Sequence, residues 1–570
     1  VIGIFKTLKW ILVCTAFAQN AVAAPCASVH FTRPVDPDLN AVEIRLVCGD
    51  AETEDWKKIP LSQAEFVLKN FLQERGYLHP TFNREYPVLN VDPGEKTKVK
   101  NFTQEGGTSK FQIRRKRKVV GEVLTPALMD TVEKWASQEL KRDGYACPFV
   151  KAEADSDSGE IHLKINPGDI LNPTAVLESQ EIPGLRPKVL RRYDAFILGN
   201  PYNIDNVSLS ETRIENEGTV ESAHFTTHCE ENKVSLTQET VPGLPRLFIT
   251  GIGFNTEGLF LGKISLKNSR LGTNGSVLLT SLYGSTKDQK FDSDLKWYFL
   301  NQPSRFYFNP GIDFEHDNED PYETLSARVR FAAARTFEFQ YFGFLLRSGP
   351  VFNQFRTLRG VGPTSSRFVS LESEFLAQNH VYELNRANPI EGYSIALLSD
   401  LNSSNFLSDT SVQKLTVRGE YLLNLNNYDP PLFILGFRAG GSTLVSGDHP
   451  GPGSFLPQTY LQYLGGSGDL RGYGLKELSA TQIGGMTSFY FDTEARFDSL
   501  LPFNIEALLF YDLGFLSDSP FSFTPPLYQS PGVGLRWRSP FGTFRTTLAH
   551  GYPSDINSHF QFYLSFGEEF

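Results

Sequence analysis

Beyond its first two dozen residues this chain of 570 residues has no run of 18 apolar residues, so no transmembrane helix is expected. Basic residues are also in short supply. Lys and Arg number 54 against 65 Asp and Glu, and the formal net charge of −11 argues against a general nucleic-acid binder. Cysteine is scarce, five in all, and no Cys-x-x-Cys pair occurs, so structural or unpaired thiols are expected rather than catalytic ones. Gly-x-Ser-x-Gly, a nucleotide-binding loop and a zinc-protease motif are all missing. His224, His228 and Cys229 lack a fourth ligand and read as surface strand residues rather than a metal centre. No catalytic residue, metal or cofactor is expected.

Aromatic residues are abundant, with 46 Phe and 22 Tyr, many of them in short segments. That usage suits a transmembrane β-barrel with aromatic girdles, whose alternating strands have weak hydropathy. The N-terminus has the pattern of a signal peptide over residues 1–23. Lys6 and Lys9 precede an apolar run from Trp10 to Ala18, and Ala21-Val22-Ala23 fits a cleavage site. Cys26, Cys48, Cys147 and Cys229 would remain after cleavage. A Cys26–Cys48 bridge fits an oxidising periplasm, although sequence alone leaves the connectivity open.

The first half repeats. Pro93-Gly94, Pro167-Gly168 and Pro242-Gly243 recur at intervals of 74 and 75 residues, and Gly76, Gly144 and Gly218 at 68 and 74. In the first unit Ser62 and Glu65 form a capping-box pattern ahead of a helix. Its stripe is Ala64, Val67, Leu68, Phe71 and Leu72, and Gly76 stops it. In the second, Thr125 caps a helix that opens on Pro126 and buries Leu128, Val132, Trp135, Ala136 and Leu140. Strands at 149–153 and 161–165 flank the turn at 155–159. The third unit shows weaker helices and a final hairpin near Glu230-Glu231-Asn232. Each unit reads as strand, helices, strand, strand. The basic run Arg114-Arg115-Lys116-Arg117-Lys118 reads as a solvated loop, with acidic lipid headgroups or an acidic partner as the alternative.

From about residue 245 the pattern becomes short, aromatic-rich, alternating strands. Asp492, Glu494 and Arg496 share one parity, opposite Phe491, Thr493, Ala495 and Phe497. The charged set should therefore face a lumen. Asp313 to Asp320 reads as an exposed acidic loop. Phe560, Phe562, Leu564 and Phe566 should face lipid in a final strand, closing against a first strand near Leu247 to Phe254.

Two segments carry the chemistry. Gly465-Gly466-Ser467-Gly468-Asp469-Leu470-Arg471-Gly472-Tyr473-Gly474 is a flexible loop with an arginine at its tip. Phe510-Tyr511-Asp512-Leu513-Gly514 sets a carboxylate within an apolar strand, which is costly unless paired. Leu470, Arg471, Gly472 and Tyr473 with Phe510, Asp512 and Gly514 resemble the arginine loop and carboxylate strand of the BamA/TamA outer-membrane superfamily. TamA is the subfamily most similar, on the three repeats and the Phe-Gln-Phe-Tyr ending.

The resemblance implies an α+β array of three POTRA repeats (24–95, 96–169, 170–244) in the periplasm. An all-β transmembrane barrel of 16 antiparallel strands (245–570) would follow in the bacterial outer membrane. It implies an assembly and insertion factor for unfolded outer-membrane protein clients, with outer-membrane lipid and a TamB-like periplasmic protein as partners and no nucleic acid. The repeats would accept client strands by augmentation. Arg471 and Asp512 would lock loop to barrel, or serve only as an internal strut. Gly251, Gly253, Phe566, Gly567 and Phe570 would form a weak lateral seam. A two-partner secretion transporter, which shares the arginine loop, and a barrel enzyme acting on lipids are the alternatives.

Overall fold

Three small sheets precede a closed barrel in this computed structural model. It describes residues 29–49, 59–85, 88–107, 119–230, 233–299, 305–339, 342–380, 389–425, 431–448, 456–498, 501–502, 505–523, 526–539, 542–553 and 560–567. The expected signal peptide, Cys26, the basic run 114–118 and Phe570 lie outside them. The chain divides into two compact units, residues 1–169 and 170–570.

The first unit holds two sheets. β1 (Val29–Phe31), α1 (Ala41–Cys48), α2 (Leu61–Glu74), β2 (Thr81–Glu85) and β3 (Val88–Asp92) form the first, in the order β1-β3-β2. Its core is Leu68, Leu72, Leu89 and Val91. The capping box expected at Ser62 is instead at Asn40. There the side chain accepts from the Glu43 amide while Glu43 accepts from the Asn40 amide. Pro60, with φ −60° and extended ψ, starts α2 earlier, which puts Ser62 inside the first turn. Glu65 meets Arg84 at 2.7 Å. β4 (Asn101–Gly106), α3 (Pro126–Arg142), β5 (Phe149–Asp155) and β6 (Glu160–Asn166) form the second sheet, in the order β4-β6-β5. Thr125 caps α3, accepting from the Leu128 amide, and Trp135, Ala136 and Leu140 pack against Phe102, Ile161 and Leu163.

The second unit opens with the third sheet. β7 (Pro173–Glu178), α4 (Ile204–Asn216), β8 (Ser222–Glu230) and β9 (Lys233–Val241) repeat the plan in the order β7-β9-β8. Cys48, Cys147 and Cys229 each lie in a disulfide. His224 pairs with Glu211 at 3.0 Å.

Sixteen antiparallel strands then close a barrel, each paired with its neighbours in sequence. The first eight are β10 (Arg246–Asn255), β11 (Leu259–Leu271), β12 (Ser276–Gly284), β13 (Asp288–Lys296), β14 (Tyr307–Asn318), β15 (Glu323–Glu338), β16 (Gly343–Arg359) and β17 (Ser365–Gln378). The others are β18 (Gly392–Asn402), β19 (Val412–Asn424), β20 (Phe433–Ser446), β21 (Thr487–Phe497), β22 (Ile505–Ser517), β23 (Tyr528–Ser539), β24 (Gly542–His550) and β25 (Phe560–Gly567). Among the described residues no helix is long and apolar enough to cross a membrane. The strands cross it instead. Phe260, Phe314, Leu509, Leu535 and Phe562 are exposed on the outer face, as lipid contact requires. Closure satisfies backbone groups that no water would meet in hydrocarbon.

The acidic segment is not an exposed loop. Asp313 to Asn318 belong to β14, and the turn is Glu319 to Tyr322. Glu319 is buried, because Lys476 from the loop joining β20 and β21 reaches it at 3.1 Å and Asp317 at 3.6 Å.

Candidate functional site: a loop folded into the barrel and the seam beside it

The β20–β21 loop is the longest between barrel strands, and its described part, residues 456–486, turns inward. It is internally structured. Gln462 pairs with Gly485 and Leu464 with Leu478, while Leu464, Leu470, Tyr473, Leu478 and Leu516 form one apolar cluster. This cluster lets a mostly polar, glycine-rich loop hold one shape inside the lumen.

Arg471 ends in a ring of partners. Its Nε donates to Asp512 Oδ2 at 3.0 Å, its Nη2 to Asp512 Oδ1 at 2.6 Å and its backbone amide to Asp512 Oδ2 at 3.1 Å. The guanidinium lies 3.4 Å from the centre of the Phe510 ring. This is a bidentate, charge-assisted pair with a cation–π floor. Asp512 is wholly inaccessible, so removing either partner would strand the other as a buried charge.

Glu494 ties the pair to the wall. It accepts from Arg471 Nη1 at 2.8 Å, Arg496 Nε at 2.6 Å and Arg536 Nη2 at 3.3 Å. Arg536 also reaches Glu506 at 2.9 Å, and Arg438 reaches Asp492 at 2.7 Å. Asp492, Glu494 and Arg496 therefore share the lumenal face with Asp512, brought together by the β21–β22 register of Asp492 opposite Asp512.

Glycine permits the approach. A Cβ on Gly472 would lie 2.4 Å from Ser530 Oγ and 2.6 Å from the Gly551 nitrogen, and one on Gly514 would lie 2.5 Å from Leu470 Cδ1. The Gly472 amide donates to Ser530. Tyr473 stands edge-on to Tyr528, and its hydroxyl donates to the Pro553 carbonyl at 3.4 Å.

The loop also touches both sides of barrel closure. Ser467 donates from its amide and hydroxyl to Glu257, in the turn after β10. Tyr563, on β25, donates its hydroxyl to the Tyr473 carbonyl at 2.5 Å. Between these strands, among the described residues, pairing is confined to Phe254 with Phe566 and Asn255 with Ser565, extended by Thr256 donating to the Leu564 carbonyl. Arg246 to Gly253 pair with β11, Gly251 facing Lys263 and Gly253 facing Leu261. Gly567 faces Thr543 of β24. Phe248 and Ile252 are 65% and 81% exposed.

Sequence reasoning missed Glu257, Ser467, Lys476, Ser530 and Tyr563. Of these only Tyr563 had a signal, its parity opposite the lipid-facing Phe562 and Leu564. Among the described residues one lumenal cavity of about 570 Å³ lies beside the seam, and another of about 520 Å³ is lined by β13–β19 and the β20–β21 loop.

The profile of the Omp85 superfamily domain matches residues 271–570. The outer membrane protein assembly factor BamA of Nitratidesulfovibrio vulgaris is 29% identical over 134 residues, covering 22% of this chain and 16% of that protein. The chain therefore aligns with well under two thirds of that relative. BamA from Haemophilus ducreyi lacking POTRA domains 1–3 superposes with a TM-score of 0.49 at 16% identity, over 83% of this chain and 100% of that one. CdiB from Acinetobacter baumannii does so with a TM-score of 0.47 at 11% identity, over 83% and 90%.

Proposed function

The chain belongs to the Omp85 superfamily, and from that premise we propose that this outer-membrane barrel assembles and inserts β-barrel or autotransporter clients. The observation that carries the reading is the asymmetry of β10. Among the described residues this strand is fully paired to β11 and joined to β25 over two residues, and its outward side chains Phe248 and Ile252 are apolar and exposed. An edge of that kind is a template for an incoming strand. In this reading Gly251, Gly253, Phe566 and Gly567 border the lateral opening. Arg471 and Asp512 hold the loop that sets barrel shape, and the three small sheets are POTRA repeats bounded at 95/96, 169/170 and 244/245. A TamB-like periplasmic protein is the proposed partner. The mechanism assigns no catalytic group, since strand pairing and client folding supply the driving force.

A cysteine pair at Phe254 and Phe566, which face each other across the seam, tests the opening. Oxidation should block client insertion and reduction should restore it; unchanged activity when cross-linked overturns lateral opening. A second reading, export of one dedicated substrate, is favoured by the two lumenal cavities on either side of the loop. Outer-membrane proteomics after depletion separates the two. Loss of several unrelated barrels supports assembly, and loss of one secreted protein supports export.

A further inference from the structure

The folded-in loop has a second anchor, across the lumen from the first. β14 and β22 are the fifth and thirteenth of the sixteen barrel strands, so they stand half the ring apart. Arg471 is fixed to β22, whereas Lys476, five residues further on, reaches the turn after β14. Its Nζ lies 3.1 Å from Glu319 Oε1 and 3.6 Å from Asp317 Oδ2, and it donates to the Tyr322 hydroxyl at 2.7 Å. That hydroxyl donates in turn to Asp317 Oδ2 at 2.8 Å, and the ammonium stands 4.9 Å from the centre of the Tyr322 ring. β10 leaves the third sheet at Arg246, and the strands alternate in direction. The turn after β14 and the β20–β21 loop are therefore both at the barrel end away from the small sheets.

The two anchors differ in how readily they part. The Arg471 and Asp512 side chains are 8% and 0% exposed, and separating them would leave buried charge uncompensated. The Lys476 side chain is 27% exposed, so its ion pairs are weakened by water and screened by salt. Lys476 also has φ +53°, a left-handed backbone unfavourable to a residue with a side chain, and release would relieve it. The first limb of the loop is held differently. Tyr460 packs 4.9 Å from the Phe368 ring and 5.5 Å from the Phe355 ring, contacts that salt does not weaken.

The lumenal cavity of about 520 Å³ begins at this anchor. Asp317 lines it, Asp313 and Glu315 continue the same face along β14, and Thr459 and Tyr460 of the loop cover it. Thr324 also lines it, 2% exposed and with no hydrogen-bond partner for its hydroxyl. Five carboxylates and four cationic side chains line the cavity, and Glu319 would add a sixth carboxylate once Lys476 withdraws. We propose that Lys476 is a releasable latch, and that its release opens this side of the lumen to the exterior as a passage for small cations. The ammonium now occupies the place a passing cation would take, between Asp317 and Glu319. A route lined with an excess of carboxylates favours cations over anions. The latch does not rest on the assembly reading, and its test involves no client.

The test uses the full chain in planar bilayers of neutral phosphatidylcholine, under a gradient of potassium chloride. The fraction of time spent conducting and the reversal potential are recorded. K476Q should raise the conducting fraction about fivefold or more, with a reversal potential on the potassium side, while K476R stays near wild type. In wild type the conducting fraction should rise with ionic strength, and in K476Q it should be high throughout. A wild-type conducting fraction in K476Q, or a K476R as open as K476Q, overturns the latch. Conduction without preference for potassium overturns the acidic route. Folding of each variant is checked by its unheated mobility, and the salt series on wild type tests the latch without any substitution.

Discussion

The seam between β10 and β25 and the wall formed by β21 and β22 are parts of one sheet, yet they are built oppositely. The wall pairs from Thr487–Ser517 to Phe497–Ala507, and its lumenal side carries Asp492, Glu494 and Asp512, each met by arginine. Among the described residues the seam pairs over two residues and shows exposed apolar side chains. Local opening free energy follows hydrogen bonding and burial, so a single barrel contains a rigid segment and a labile one. Arg471 stands on the rigid side, while the loop that bears it reaches the labile side through Glu257 and Tyr563.

Replacing Arg471 by Ala should have the largest effect. It leaves Asp512 buried and unpaired, at a cost of about 3–5 kcal/mol, read as a lower Tm and new protease cleavage in residues 456–486. An unchanged Tm would reduce the pair to a passive contact. Gly472→Ala should cost about 1–3 kcal/mol, because its Cβ overlaps Ser530 and Gly551. A double variant no worse than Arg471→Ala alone would show that both act by seating one loop. Hydrogen exchange sharpens the contrast without mutation. Amides of Leu247–Gly253 that point away from β11 should exchange faster than amides of β15 and β16, and equal protection would mean that the seam is closed along its length.

The smallest effect concerns pH at the junction of the third sheet and the barrel. Burial pushes the Glu217 carboxyl up, but Lys296 outweighs it and holds the group below the usual carboxylate range. A depressed folded value stabilises at any pH above the unfolded value, about 4.3. That stability is lost as pH falls further, through the folded value. Wild type should therefore lose Tm relative to Glu217→Gln below about pH 4.3, whereas at neutral pH the variant is the weaker of the two.

Much of this was legible in the chain. Alternation in β21 showed which charges face inward, and the Leu-Arg-Gly-Tyr and Phe-x-Asp-x-Gly segments named the partners Arg471 and Asp512. Alternation does not carry register, however. That Glu494 gathers Arg471, Arg496 and Arg536 depends on which strands stand side by side. Lys476 and Glu319 meet across the lumen at a separation that no local pattern records. The helix α4 was faint because its buried stripe, Val207, Ser210 and Ile214, includes a serine. That serine is satisfied locally, donating to the Asn206 carbonyl and accepting from the Ala195 amide. The Ser62 cap failed because a nearby proline defines a helix start more strongly than a hydroxyl does.

The contacts between the folded-in loop and the two seam strands also bear on the order in which this barrel is made. Ser467 and Glu257 are 210 residues apart in the chain, and Leu564 and Thr256 are 308 apart. Contacts of such length pay the greatest closure entropy. The loop, by contrast, meets Asp512 across 41 residues. Closure entropy alone therefore favours seating the arginine while the sheet is still an open ribbon and closing the barrel last, around a loop already in place. A chain that shuts first would trap the loop outside, with Asp512 facing an empty lumen and no route left for its partner.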